Sequence, residues 1–115
     1  FFEGHPVVRI DGNSNFSICG IIFLSRGADE KVLYHERGHL TQEEILGFRT
    51  YFNYVAKPSM EHIDIPHPEY FNQPWELQAD IFGGISRKTH TYDDIRAAEF
   101  YFRGSAYAGE LDGYR

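Results

Sequence analysis

The chain has one cysteine, Cys19. No disulfide can form within it, and a cysteine-rich metal site is excluded. Positive charge is also scarce: 11 Lys and Arg stand against 17 Asp and Glu, for a net charge of -6. Such a chain has no surplus of cations to neutralise phosphates, which argues against a nucleic-acid partner. The closest basic pair is Arg87-Lys88. No apolar run approaches the length of a membrane span, so no membrane partner is expected. No signal peptide, internal repeat or low-complexity tract is visible in these residues. The chain opens Phe-Phe-Glu-Gly-His-Pro without a Met. We read residues 1–115 as one domain cut from a longer protein, and secreted or delivered as part of it.

Aromatic residues, by contrast, are plentiful. They make up 17% of the chain, nearly all Phe and Tyr, within a hydrophobic share of 42%. That suffices for one modest core, because large rings bury much area per residue. Val7 to Ile10 reads as a strand ended by an Asp11-Gly12 turn. The apolar run Ser17 to Leu24 reads as one buried strand with Gly20 inside it. Cys19 then counts as a small buried side chain.

A helix is predicted from about Asp29 to Thr41, capped by Ser25 or Asp29. Thr41 and Glu44 match a capping box, which predicts a second helix start there. Ile45, Phe48, Phe52 and Val55 would be its buried stripe. Residues 57–74 carry four prolines and read as an irregular connection, the kind that shapes an active-site rim. Trp75 to Ile85 has a helical pattern stopped by Gly83-Gly84. A last helix starts near Thr91, with Ile95, Ala98 and Phe102 on one side.

The residues that carry chemistry are His35-Glu36-Arg37-Gly38-His39, an H-E-x-x-H. On a helix, positions i and i+4 share a face. Two imidazoles so placed can meet at one zinc ion, at about 2.0–2.1 Å. Glu36 leans toward the open side of that ion. There it can take a proton from water and pass it to a leaving amine. Zinc makes that water acidic, with a pKa of about 7. The short pattern also arises by chance, and a catalytic zinc needs a third protein ligand. Downstream, Glu76 and Asp80 form an E-x-x-x-D on one helical face.

Those two halves together resemble the gluzincin metallopeptidases. In that family a second helix supplies a glutamate ligand, and an aspartate four residues later orients the first histidine. The resemblance implies that Glu76 completes a Zn2+ shell with His35 and His39. It implies that Asp80 accepts the free ring N–H of His35. The wider pattern, "HERGHLTQ" then "YFNQPWELQADIFGGI", looks like the small zinc-peptidase domains at the C-termini of bacterial polymorphic toxins of the Rhs/YD-repeat type. Those tend to read H-E-[YF]-G-H-x-x-Q, then a proline-bearing segment, then P-W-E-x-x-A-D-x-x-G-G. The likeness covers roughly residues 17–90. Arg37 departs from it where the pattern prefers an aromatic, and should face away from the metal. The spacing from His39 to Glu76 is longer than in compact gluzincins.

The implied architecture is α+β, a minimal zincin (gluzincin-like) fold. A short, mostly antiparallel sheet would pack on the motif helix, beside the second metal helix and a C-terminal helix. The implied partners are a peptide or protein substrate, the parent Rhs-like chain and an immunity protein. For the oxyanion-stabilising residue we rank His90 and His67 ahead of Tyr70 and Tyr92. His62 reads as a loop histidine, and Gln42 as a surface or helix-end contact. The first function expected is zinc-dependent peptide-bond hydrolysis by an effector domain. The alternatives are a self-processing or binding-only domain and a metallo-amidase acting on a non-protein amide. A closed structural site would need a fourth ligand, for which Cys19 and His67 are the candidates.

Overall fold

In the computed structural model, which describes residues 1–63, 65 and 69–103 with side chains to Ala98, the apolar run after Asn15 is a hairpin and not one strand. Strand β1 spans Val7–Ile10, β2 Phe16–Ile18 and β3 Ile21–Ser25. Cys19 and Gly20 join β2 to β3 with φ of 54° and 76°. Two consecutive left-handed residues are what a tight two-residue hairpin turn demands. Cys19 therefore sits exposed at a tip rather than buried. Its backbone N–H donates to Glu43 Oε2 at 2.8 Å, and that of Gly20 to Oε1 at 3.0 Å. One carboxylate thus clamps the turn to the following helix.

The sheet order is β1-β3-β2, with β1 parallel and β2 antiparallel to the central strand. The class is α+β, and the sheet is mixed, because β1 reaches β3 through the whole hairpin instead of a direct turn. Ile22 and Leu24 of β3 are fully buried and meet Leu40 of the first helix. Val7, Val32 and Leu33 close over them.

Helix α1 spans Glu30–Leu46. Asp29 caps it, accepting from the Val32 N–H at 3.1 Å. It runs straight through Thr41, so the expected second start does not form. The Thr41 hydroxyl instead donates back to the Arg37 carbonyl at 3.3 Å. Gly47, at φ 79°, ends the helix. Next come α2 (Phe48–Tyr51), a π-helical stretch (Phe52–Ala56) and α3 (Lys57–Glu61). A proline inside a helix lacks a donor and collides with the carbonyl four residues back. The wide π turn sits just before Pro58, where it relieves that collision.

The break at Gly47 and the π turn shift the helical phase. Ile45 and Val55 are buried as expected, with Leu46 and Tyr51, while Phe48 is 54% exposed. Segment 57–74, expected to be irregular, contains α3 and a short α4 (Glu69–Asn72). Helix α5 spans Pro74–Gly83 and stops at Gly84 in the left-handed region. Helix α6 spans Tyr92–Arg103. The Thr91 hydroxyl accepts from the Asp94 N–H at 3.1 Å, which caps it. Ala98 is buried, and the side chain of Phe102 lies outside the described residues.

Helices α1 and α5 touch backbone to backbone. A Cβ on Gly38 would run into the Ala79 carbonyl, and one on Gly83 into the Tyr34 carbonyl. Gly38→Ala should therefore cost about 1–3 kcal/mol, the range for overpacking. Gly27→Ala, whose Cβ meets open space, should stay within about 0.5 kcal/mol. Urea denaturation of the two variants checks this. Equal midpoints would refute the contact.

Candidate metal centre

The close crossing of α1 and α5 places three side chains at one point. His35 and His39 come from α1 and Glu76 from α5, and all are buried. Glu76 Oε1 lies 2.9 Å from His35 Nε2 and 3.0 Å from His39 Nε2. One donor atom from each of the three lies within 4.8 Å of the others, so the group can hold a metal ion.

Both histidines turn the same nitrogen inward, because the other has a fixed partner. His35 Nδ1 lies 2.6 Å from Asp80 Oδ1, and His39 Nδ1 lies 2.7 Å from Gln42 Oε1. Both partner oxygens accept, so Nδ1 carries the proton and Nε2 keeps its lone pair for a metal. Gln42, expected at the surface or a helix end, is instead 0% exposed. Its amide donates to the Trp75 carbonyl and to Gln78 Oε1, each at 3.0 Å. The sequence does carry a signal for it. Three residues after His39, it falls on the same helical face.

A proton and a metal ion compete for the same Nε2 lone pairs. Burial alone would push His35 down. Its hydrogen bonds to Asp80 and Glu76, with the nearby carboxylate charges, overcome burial and raise it to about 10. His39 is also raised, against burial, chiefly by the charge and hydrogen bond of Glu76. Burial would raise Glu76 too, but the two histidines hold it well below the carboxylate range. Asp80 is lowered, against its burial, by His35 and Arg87.

Glu36 is buried next to this group. Ser17 Oγ, on β2, donates to Glu36 Oε1 at 2.7 Å and lies 2.9 Å from the Glu36 carbonyl. The Tyr51 hydroxyl in turn donates to the Ser17 carbonyl at 2.8 Å. On the other side, Ser59 donates to Glu76 Oε2. Tyr70 interacts with both Ser59 and Glu76, and its burial and the Glu76 charge push its hydroxyl far up, so it stays a donor. Ser17, Tyr51 and Ser59 belong to no sequence motif, so nothing in the sequence singles them out.

The expected oxyanion residues fare differently. His90 stands behind Asp80, its Nε2 3.1 Å from Asp80 Oδ2, and lines neither cavity beside Glu36. Its place next to a buried carboxylate suits support of Asp80, not contact with a reacting oxygen. His67 lies outside the described residues. Tyr70, ranked below both, lines both cavities. Tyr92 is exposed, and His62 bonds the Pro58 carbonyl at 2.8 Å. Cys19, at the hairpin tip, is not part of the metal group. Arg37 points away to Glu3, at 2.7 Å.

No family model, curated protein or solved structure matches the chain. Among the described residues, no helix is long and apolar enough to cross a membrane.

The two shifts set a pH dependence. The raised His35 contributes stability that is full below 6.5 and lost as pH rises through about 10. The lowered Glu76 contributes stability that is full above 4.5 and lost as pH falls toward its depressed value. Chelator-treated protein should therefore show a higher urea midpoint at about pH 6 than at about pH 9. The reverse order would count against the coupled His35–Glu76 pair.

Proposed function

We propose that the chain is a zinc-dependent peptide-bond hydrolase. The observation that carries this reading is the buried His35–His39–Glu76 group with Glu36 packed beside it. Two imidazoles and one carboxylate are a donor set that suits zinc, and three protein ligands leave it an open position. When bound, zinc would acidify a water and polarise the carbonyl to be attacked.

The chain's own residues supply the rest. Glu36 accepts the proton of the attacking water and delivers it to the leaving amine. Ser17 occupies one of its oxygens, which leaves the other for that transfer. Asp80 and Gln42 fix both ring tautomers, so neither histidine must reorient when metal enters. The Tyr70 hydroxyl, kept protonated by its surroundings and lining both cavities beside Glu36, would be the donor to the oxygen that gains charge. The likeness to polymorphic-toxin domains supports an effector role, delivered as part of a larger bacterial protein.

The test compares the native domain with Glu36→Gln. Each should hold one zinc by elemental analysis. Cleavage of a mixed peptide library should fall by about 10²–10⁴-fold in the variant, the range for a lost general base. No zinc in the native domain, or undiminished cleavage by the variant, would overturn the reading. Asp80→Asn should weaken zinc or turnover by about 10–100-fold, as loss of a ligand's orienting partner does. Chelator competition measures that, and Gln42→Leu should behave alike.

A further inference from the structure

The cleft beside the metal group has two lobes that differ in chemistry. Ser14, Asn15, Glu36, Ile63 and Tyr70 line both, so the lobes meet over Glu36. The first is a cavity of about 380 Å³ on the His39 side. Its walls include Ile18, Phe52, Ala56 and Met60, and Glu36 is the only acidic or basic group among its lining besides His39 and the tyrosines. The second is a cavity of about 300 Å³ on the His35 side, lined also by Phe71 and Arg87.

Arg87 is held firmly there. Its Nε and Nη2 reach Asp80 at 2.7 and 3.3 Å. Its guanidinium lies 3.7 Å over the Phe71 ring, and that ring stands edge-on to His35 at 5.2 Å. Asp80 thus takes one edge of the planar fork. The Nη1 end has no hydrogen-bond partner among the described residues. An arginine with one edge fixed and the other open is set up to grip a second carboxylate.

We propose that the cleft selects a peptide with a bulky apolar side chain in the His39 lobe and a carboxylate in the His35 lobe, gripped by Arg87. The carboxylate is that of an acidic side chain or of a chain terminus. A charged guanidinium rewards an anionic acceptor over a neutral amide. A lobe with apolar walls rewards area removed from water. The proposal rests on the hydrolase reading for where the scissile bond lies, but the two lobes themselves do not depend on turnover.

The test therefore measures binding with cleavage blocked. Zinc-loaded Glu36→Gln is titrated with short fluorescent peptides pairing Phe or Ala with Glu or Gln, in both orders. A further pair ends in a free carboxylate or an amide directly after Phe. Phe with Glu should bind about tenfold tighter than Phe with Gln, and about tenfold tighter than Ala with Glu. A free terminus preferred over its amide, with no Glu preference, would assign the carboxylate to a chain end. Adding Arg87→Gln should abolish the carboxylate preference and leave the Phe-over-Ala ratio intact. Ala56→Phe should do the opposite. If either fails to fold or to hold zinc, Arg87→Met and the exposed Met60→Glu replace them.

Ratios separate recognition from general damage, which would weaken all peptides alike. Equal binding of acidic, amide and apolar variants would overturn the proposal, as would a carboxylate preference that survives Arg87→Gln. If native protein holds zinc and cleaves peptides without these preferences, the inference fails alone. If it holds no zinc, the hydrolase reading fails, and the binding ratios of the metal-free protein still decide for or against the two lobes.

Discussion

The backbone contact between α1 and α5 is the constraint on which the site depends. The Glu76 side chain is short, yet it must reach both histidines of the other helix. It does so only because Gly38 and Gly83 let the two backbones meet. Glycine inside a helix costs roughly 1 kcal/mol relative to alanine, so Gly38 in mid-α1 is a local penalty accepted for this approach. A methyl group at either glycine would collide with the facing backbone and force the two ligand-bearing helices apart. The hairpin, the π turn and the short helices then arrange themselves around that crossing.

Burying so many polar groups is tolerable only if each is satisfied. Glu36, Glu76 and Asp80 all lie in the interior with two histidines. Each has its own partner: Ser17 for Glu36, Ser59 for Glu76, Asp80 for His35 and Gln42 for His39. Arg87 then compensates Asp80. The partners come from β2, α1, α3, α5 and the segment after α5. One strand and three helices thus each contribute a contact to the centre. A small domain with little apolar core to spare is thereby organised around a polar one. Removing one partner would strand a buried group, which costs more than the hydrogen bond itself contributed.

The centre is more legible in the sequence than the fold around it. Spacing of four along a helix is rigid, so spacing alone assigns His35, His39, Glu76 and Asp80 to their helix faces. The start of α1 at Asp29 follows from a local signal of the same kind, whereas the α+β class is implied by the resemblance. Elsewhere, local signals compete. Apolar residues on both sides of Cys19-Gly20 mask a turn, although Gly20 is its marker. Thr41 and Glu44 have the spacing of a capping box, but α1 is already under way and Glu43 is engaged by the hairpin tip. Prolines in 57–74 suggest irregular chain, while the π turn makes room for Pro58 inside a helix. Ser17 and Ser59 are invisible because their roles depend on distant chain segments meeting.

The hairpin is also a mechanical part. Strand β2 and its turn are fastened to α1 at two places, through Ser17 to Glu36 and through the turn amides to Glu43. Those anchor points lie seven residues apart, or about two helical turns. A strand bolted at two points cannot swing away like a hinged flap. The wall of the apolar lobe and the residue that would move the proton are therefore parts of one stiff unit. Any force on the strand is felt at the carboxylate, so a guest seated against that wall would bear on Glu36 as well.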